Sequence, residues 1–170
     1  VRPDKTHTVL YNVNTELQDN LVTCTAASKT FNLAALSTSS IIISNKKLRK
    51  MFAKEVGKSH FNTSNIFGFE ATKIAYSKCE AWLDELIDLI YSNQSLVNEF
   101  FKENYPKIKA PISEGTYLQW LDFRELGMSN KELEGFLNKN QFFTDEGYVF
   151  GKEGSGFERI NVSLPQDALI

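Results

Sequence analysis

The sequence predicts a mixed α/β fold whose C-terminal part is an α+β lobe. Two short β-branched runs near the start, Asn20 to Ala27 and Ser39 to Asn45, predict two strands. The middle of the chain, from Asn62 to about Tyr105, has apolar residues at helical spacing. In the last third, predicted strands alternate with a short helix, which is typical of helices packed against one sheet.

The two early strands are expected to be buried. The first is the run NLVTCTAA, and the second contains three consecutive isoleucines, Ile41 to Ile43. An uninterrupted apolar run is typical of a strand covered on both faces, so we expect the remnant of a doubly wound sheet. Ser28 to Ser37 lies between the strands and is too short for a full crossover helix. A tight turn with one or two helical turns is therefore expected there.

Helical patterns follow the second strand. One runs from Asn45 and is expected to stop at Gly57, with Leu48, Met51, Phe52 and Val56 at helical spacing. The pattern from Asn62 to Tyr105 has a wide apolar stripe on an acidic helix. Such a stripe predicts a core or a subunit interface, and its members are Trp82, Leu83, Leu86, Ile87, Ile90, Leu96, Val97, Phe100 and Phe101.

The last third predicts a small lobe of strands and one helix. Gly115 to Glu125 has the pattern of a strand, with Tyr117, Leu121 and Phe123 on one face. Ser129 and Glu132 form the sequence pattern of a capping box, which predicts a short amphipathic helix up to Asn140. A glycine-punctuated loop and a strand, FERINVSL, follow. We expect the boundary between two domains near Ser77 to Cys79.

The charge balance and the cysteines exclude several function classes. The formal net charge is −2, and interspersed charges give no basic patch for nucleic acid or an anionic membrane. No apolar run reaches the ~18 residues of a membrane-spanning helix. Cys24 and Cys79 lack metal-ligand spacing and predict free thiols in a reducing compartment. We therefore expect a cytoplasmic protein without a nucleic-acid or membrane partner.

Neither a metal site nor a complete chain is predicted. The two histidines, His7 and His60, lie in polar stretches with no Cys, Asp or Glu at metal-ligand spacing. The chain opens with a loop-like stretch, and its last residues, LPQDALI, resemble the beginning of a helix. We expect this chain to be a fragment of a longer protein.

Lys29 is a candidate for imine chemistry. It follows a predicted buried strand and is flanked by Ala26, Ala27 and Phe31. An amine must be neutral to attack a carbonyl, and partial burial or a neighbouring cation provides that. The hydroxyl of Ser28 is suited to binding a phosphate. The alternative is a lysine at the end of a strand that reaches into solvent.

Arg159 is a candidate for binding a carboxylate. It lies on a predicted strand after a glycine-rich loop, and a guanidinium can hold a carboxylate through two parallel hydrogen bonds. Gly154 and Gly156 would let the backbone approach a ligand closely. The alternative is a structural salt bridge with one of the 21 acidic residues of the chain.

Several strings, in their order along the chain, carry a resemblance to a known family. They are SKTFNLAAL followed by IIISN, then NIFGFEAT, EGTYLQWLDFR and GFERINVSLP. This set resembles the class I/II aminotransferase superfamily of pyridoxal-phosphate enzymes, known as fold type I. Within it the chain is most similar to the cystathionine β-lyase branch, the MalY/PatB type of C–S lyase.

The resemblance implies roles for individual residues. Lys29 matches the lysine that binds pyridoxal 5'-phosphate and then moves the Cα proton. Ser28 matches a hydroxyl that contacts the cofactor phosphate. Arg159 matches the arginine that holds the substrate α-carboxylate, and the run with Gly151 and Gly156 matches the loop that leads to it. Gly115 and Thr116 fall in a stretch that lies close to the active site in relatives.

The resemblance also implies an activity and an architecture. The expected reaction is α,β-elimination on an L-cysteine S-conjugate such as cystathionine, which gives pyruvate, ammonia and a thiol. An aminotransferase is the alternative with the same residues. A non-catalytic, truncated domain that binds no cofactor is the alternative of another class, and an unrelated binding module is a fourth. The expected architecture is the C-terminal part of a fold type I enzyme that is a homodimer.

The departures from the family pattern concern length above all. Residues 1–78 would be the end of the large cofactor domain, and residues 79–170 a connecting helix with the small domain. The earlier half of such an enzyme supplies the aspartate that pairs with the pyridinium nitrogen, and Asp4 is not assigned to that role. Ala35 stands where many relatives have glycine, which predicts a small change in packing. We expect this chain alone to be inactive.

Overall fold

The computed structural model describes residues 1–59 and 65–169, and these form two compact units. The N-terminal unit is His7–Glu85, and the C-terminal unit is Val1–Thr6 together with Leu86–Ile170. His60 and the first residues of the long helical pattern, Asn62 to Ser64, lie outside the described residues. The domain boundary expected near residue 78 stays a prediction.

The N-terminal unit contains a two-stranded antiparallel sheet. Strand β1 is Val22–Thr25 and strand β2 is Ser40–Ile43, with Val22 opposite Ile43 and Thr25 opposite Ser40. Both strands lie within the predicted runs. The expectations that β1 is buried and that β2 is covered on both faces are wrong for this chain, because Val22 of β1 and Ile41 and Ile42 of β2 are exposed. Two strands alone cannot cover both faces of their own sheet.

Three helices follow this sheet. They are α1, Lys46–Ser59; α2, Ile66–Lys78; and α3, Glu80–Asn104. Helix α1 continues through Gly57, so the predicted stop there is wrong; a glycine weakens a helix but does not have to end it. Cys79 separates α2 from α3 inside the predicted long helical region. No helix in the described ranges is long and apolar enough to cross a membrane.

The C-terminal unit has a three-stranded antiparallel sheet in the order β3-β5-β4. Strand β3 is Leu118–Asp122, β4 is Asp145–Glu146 and β5 is Phe157–Asn161. Strands β3 and β5 lie within the predicted runs. The two-residue strand β4 lies between the predicted helix, which ends at Asn140, and the predicted loop, which begins at Gly147, where the sequence predicted no element.

Helices α3 and α4, Asn130–Lys139, pack against one face of this sheet. Ser129 accepts from the backbone of Glu132, whose side chain accepts from Ser129 in return, which confirms the capping box. Leu121 and Phe123, which the sequence analysis placed on one face of the strand, are both buried in this core. The whole buried cluster is Val97, Ala110, Leu121, Phe123, Leu133, Leu137 and Val162.

Candidate functional site

Lys29 lies in a tight turn directly after β1. The turn is closed by two backbone hydrogen bonds, from Phe31 N to Ala27 O at 3.0 Å and from Leu33 N to Ser28 O at 2.8 Å. Asn32 has φ of 53°, the left-handed conformation that asparagine tolerates better than most residues. A short 3₁₀ turn, Ala34–Leu36, follows, as the sequence predicted.

Aromatic contacts within the N-terminal unit hold this turn in place. The Phe31 ring is edge-on to Tyr76 of α2, with ring centroids 6.0 Å apart, and stacks on Trp82 of α3 at 5.9 Å. Aromatic pairs at these distances contribute about 0.5–1.5 kcal/mol each beyond the area they bury. Phe31 therefore connects the turn that carries Lys29 to both helices.

A glycine brings α2 close to the segment that follows the turn. A Cβ at Gly68 would lie 2.8 Å from the carbonyl oxygen of Leu36 and would collide with the Thr38 hydroxyl. Only glycine allows that approach without displacing the backbone.

The partial burial expected for the lysine is absent in this chain. Lys29 and Thr30 are exposed, whereas Ala27 is 1% exposed and Ser28 is half-buried. Among the ion pairs of the described residues, none involves Lys29, and its amine is not engaged by a carboxylate.

Arg159 lies at the middle of the sheet in the C-terminal unit, on the face away from the core. Its cross-strand neighbours are Trp120 of β3 and Asp145 of β4. Glu158, the adjacent residue of β5, is 2% exposed and points to the opposite face, which carries the core residue Leu121. Since successive side chains of a strand alternate between faces, the sheet presents Arg159 outward.

The guanidinium of Arg159 is held by two contacts. Its Nη2 donates to Asp145 Oδ2 at 2.8 Å, and its Nε donates to the same oxygen at 3.2 Å. The carbon at the centre of the guanidinium lies 4.2 Å from the centroid of the Phe150 ring. The structural salt bridge considered from the sequence is therefore present, with Asp145 as the partner.

A second arginine has a similar environment in the same unit. Arg124 donates from Nε and Nη2 to the two carboxylate oxygens of Asp122, at 2.9 and 2.7 Å, and lies 4.4 Å from the Phe157 ring centroid. These hydrogen bonds hold the pKa of the Asp122 carboxyl below its ordinary value. Trp120 is edge-on to both phenylalanines, so one aromatic row connects the two arginines.

The glycine-rich loop before β5 uses its glycines mainly to approach itself. A Cβ at Gly154 would collide with the carbonyl group of Gly147, and the reverse substitution would collide with Gly154. Gly151 and Gly156 have φ of 138° and 77°, which L side chains rarely adopt. This backbone conformation places Phe150 beside Arg159.

Buried amides that the sequence analysis missed hold the loop before β3. Gln94 Oε1 accepts from Ser113 N at 2.8 Å, and Gln94 Nε2 donates to the carbonyl of Thr116 at 3.2 Å. Thr116 has φ of 74°, an uncommon conformation for a non-glycine residue. Gln119 Nε2 donates to the carbonyl of Ala110 at 3.0 Å. The stretch with Gly115 and Thr116 is thus fixed by buried side chains.

Glu158 is an additional titratable residue that the sequence analysis missed. Burial raises the pKa of its carboxyl, and a hydrogen bond from Thr144 Oγ1, at 2.6 Å, opposes that effect. Its position two residues after a glycine gave no signal of burial, because acidic residues are mostly exposed. Glu158 faces the core side of the sheet, so it does not lie on the face that carries Arg159.

The residues predicted for the site divide between the two units. Lys29 and Ser28 are adjacent in the turn of the N-terminal unit, whereas Arg159, Gly151, Gly156 and Thr116 belong to the C-terminal unit. Asp145 was missed, because a two-residue strand that pairs only with β5 has no local sequence signal.

No protein-family model matches the chain. The chain is 37% identical over 156 residues to the cystathionine beta-lyase PatB of Bacillus subtilis, and the match covers 91% of this chain and 40% of PatB. The chain thus spans about two fifths of the length of the curated relatives it matches.

Two solved structures also match nearly all of this chain and less than half of their own length. Cystalysin from Treponema denticola, whose crystal structure contains a pyridoxal 5'-phosphate cofactor, matches with a TM-score of 0.92 and 44% identity, over 99% of this chain and 43% of that chain. The PLP-bound C–S lyase from Staphylococcus hominis matches with a TM-score of 0.83 and 28% identity, over 99% of this chain and 44% of that chain. The resemblance and the fold class indicated by the sequence motifs are confirmed, and the coverage supports the interpretation as a partial, C-terminal chain.

Proposed function

We propose that this chain is part of a pyridoxal-phosphate-dependent C–S β-lyase of the cystathionine β-lyase type. One observation carries the proposal: the string around Lys29 forms an anchored turn with an exposed amine, in a chain that is 37% identical to a cystathionine beta-lyase. The proposed substrate is an L-cysteine S-conjugate, and the products are pyruvate, ammonia and a thiol.

The residues of the turn fit the cofactor in their chemistry. A primary amine without an ion-pair partner among the described residues is suited to an aldehyde, and the adjacent hydroxyl of Ser28 is suited to a phosphate oxygen. When bound, pyridoxal phosphate supplies an electron sink for the substrate Cα. Lys29 is exposed in this chain, so the proposal requires that the rest of the protein covers the amine.

In this proposal Lys29 has two tasks. Its Nζ would hold the cofactor by its aldehyde, and the neutral amine would accept the proton from the substrate Cα. The second task requires a neutral amine, because an ammonium group cannot accept a proton. The aromatic contacts of Phe31 restrict the turn, and thereby the volume that the Lys29 side chain can sample.

Arg159 orients the substrate in this proposal. A guanidinium binds a carboxylate through two N–H donors in a fixed plane, which defines the direction of the substrate as well as its position. Its location on the outward face of the sheet leaves it accessible to a small ligand, with 25% of its side chain exposed. A substrate held by its α-carboxylate has a fixed Cα, and proton transfer from that carbon requires such a fixed position.

An aminotransferase remains the second candidate, because it would use the same lysine and arginine. The lyase is favoured because PatB is a cystathionine beta-lyase and the Staphylococcus hominis enzyme is a C–S lyase. Release of pyruvate from L-cystathionine by the whole protein, without an added keto acid, tests the choice. A strict requirement for a keto acid as amino acceptor would contradict the lyase.

We also propose that this chain by itself lacks the activity. It spans about two fifths of its relatives. Mixing the purified chain with pyridoxal phosphate should give little or none of the visible absorbance of a lysine-bound cofactor. A full absorbance band would contradict this part of the proposal.

The whole protein is proposed to act as a homodimer in the cytoplasm. Large apolar side chains of α2 are exposed in this chain, with exposed fractions of 72% for Ile66, 74% for Phe67 and 59% for Phe69. Apolar surface of this kind is typical of an interface. Cys24 and Cys79 are free thiols, which is compatible with a reducing compartment. Sedimentation of the whole protein would test the dimer.

A further inference from the structure

Three residues form a row across the sheet of the C-terminal unit. Trp120, Arg159 and Asp145 are register partners on β3, β5 and β4, and the row lies on the face opposite the core. Facing positions on adjacent antiparallel strands bring side chains within about 5.5 Å at Cβ. Asp145 is therefore placed beside Arg159 by the pairing of β4 with β5, which consists of only two residue pairs.

The hydrogen bonds of this pair use one edge of the guanidinium. Nε and Nη2 both donate to a single oxygen, Asp145 Oδ2. The other edge, formed by Nη1 and the second hydrogen of Nη2, has no hydrogen-bond partner among the described residues. A carboxylate ligand needs two parallel donors, and this edge provides them.

The face of the guanidinium is also occupied. The centroid of the Phe150 ring lies 4.2 Å from the central carbon of the guanidinium. Gly151, which has a positive φ, directly follows Phe150 in the chain. An arginine side chain has many rotamers, and a ligand that binds a mobile arginine must restrict them. One edge bound to Asp145 and one face against Phe150 remove much of that freedom in advance.

We propose that Asp145 is a positioning residue for the substrate carboxylate: it holds one edge of Arg159 so that the other edge is directed at the ligand. This inference rests on the proposed function, because it requires that Arg159 binds the α-carboxylate. Asp145 itself does not contact the substrate. Its removal acts through the orientation of Arg159.

The opposite role would give the opposite result. If Asp145 competed with the substrate for Arg159, its removal would free the guanidinium and tighten substrate binding. If the pair served only stability, its removal would change the thermal midpoint without changing the affinity for amino acids. The three roles are therefore separable by measurement.

The test compares variants of the whole protein loaded with pyridoxal phosphate. Asp145→Ala removes the acceptor, and Asp145→Glu restores a carboxylate. Asp122→Asn is the matched control, because Asp122 lies in the same sheet and accepts hydrogen bonds from another arginine, Arg124. The steady-state constants for L-cystathionine are measured, together with the thermal midpoint of each variant.

We expect Asp145→Ala to raise KM about tenfold, the ratio that corresponds to about 1.4 kcal/mol of binding free energy, with kcat lowered less than about threefold. Asp145→Glu should recover most of the wild-type KM, and Asp122→Asn should leave KM within about twofold. An unchanged or lowered KM in Asp145→Ala would overturn the inference. The proposed function would still stand in that case if the wild-type protein releases pyruvate from L-cystathionine. A wild-type protein that neither binds the cofactor nor releases pyruvate would overturn both.

Discussion

Asn93 of α3 donates from its Nδ2 to the carbonyl oxygen of Val162, directly after β5, at 2.8 Å. The same nitrogen donates to the carbonyl of Leu164 at 2.8 Å, and both Asn93 and Val162 are fully buried. One amide therefore attaches the long helix to the end of the strand that carries Arg159. In this unit the position of the strand that carries Arg159 depends on a buried polar contact as well as on the apolar core.

Removal of this amide should destabilise the protein. Asn93→Ala leaves the buried carbonyl of Val162 and the partly buried carbonyl of Leu164 without their donor. An unsatisfied buried group costs about 1–3 kcal/mol. We expect the free energy of unfolding to fall by about 2–3 kcal/mol, measured by urea denaturation. Asn138→Ala, at an exposed position of α4, is the control and should change the free energy by less than about 0.5 kcal/mol. Equal losses in the two variants would contradict the role of Asn93.

Glu158 should make stability depend on pH. Burial raises the pKa of its carboxyl in the folded protein, so the folded state binds more protons than the unfolded state between the two pKa values. The free energy of unfolding therefore falls as pH rises through that window, which begins at the ordinary glutamate pKa of about 4.3, and the loss persists above it. Below this window the carboxyl is neutral in both states, and the free energy of unfolding is then not reduced by its ionisation.

Glu158→Gln removes this dependence and keeps an oxygen that can accept from Thr144. We expect the variant to have a higher free energy of unfolding at pH 7, by about 1 kcal/mol, and no advantage near pH 4. Denaturant titrations at the two pH values measure the difference. Glu153→Gln, at a position with 79% of the side chain exposed, is the matched control and should show no advantage at either pH. A gain that is larger at pH 4 than at pH 7 would have the wrong sign.

Arg159 and Arg124 provide a matched pair for testing substrate binding. Each has a carboxylate partner and a phenylalanine ring, but only Arg159 is proposed to hold the substrate. Arg159→Lys keeps the charge and loses the planar pair of donors, so we expect KM for L-cystathionine in the whole protein to rise at least about tenfold. Arg124→Lys should leave KM within about twofold. Similar KM values for the two variants would contradict the assignment of Arg159.

Local patterns predicted much of the fold. The capping box of Ser129 and Glu132 was predictable because both partners lie within one helical turn. The β-branched runs located β1 and β2 within a residue or two of each end. The exposure of Ile42 was not predictable, because a run of apolar residues indicates a strand but not which elements pack on its two faces.

Contacts between distant residues account for what the sequence analysis missed. Strand β4 has two residues, and it is a strand only through its pairing with β5. Asp145 therefore had no recognisable signal, although Arg159 did. Asn93 and Gln94 interrupt an apolar stripe on α3, and nothing local distinguishes a buried amide with distant backbone partners from a solvated one.

The exposure of Lys29 has the same cause as that of Ile42. The turn after β1 is anchored by Phe31, but the described residues of this chain do not cover the amine. The motif identified the residue, and the resemblance to pyridoxal-phosphate enzymes implied its role. Its environment is determined by packing that a local string of residues does not specify.

The most direct test of the account is the visible absorbance of the whole protein mixed with pyridoxal phosphate, compared between wild type, Lys29→Ala and Lys54→Ala. Lys54 is an exposed lysine of α1 and serves as the control. We expect the absorbance band of a lysine-bound cofactor in wild type and in Lys54→Ala, and no band in Lys29→Ala. A band of wild-type intensity in Lys29→Ala would contradict the central claim that this lysine binds the cofactor.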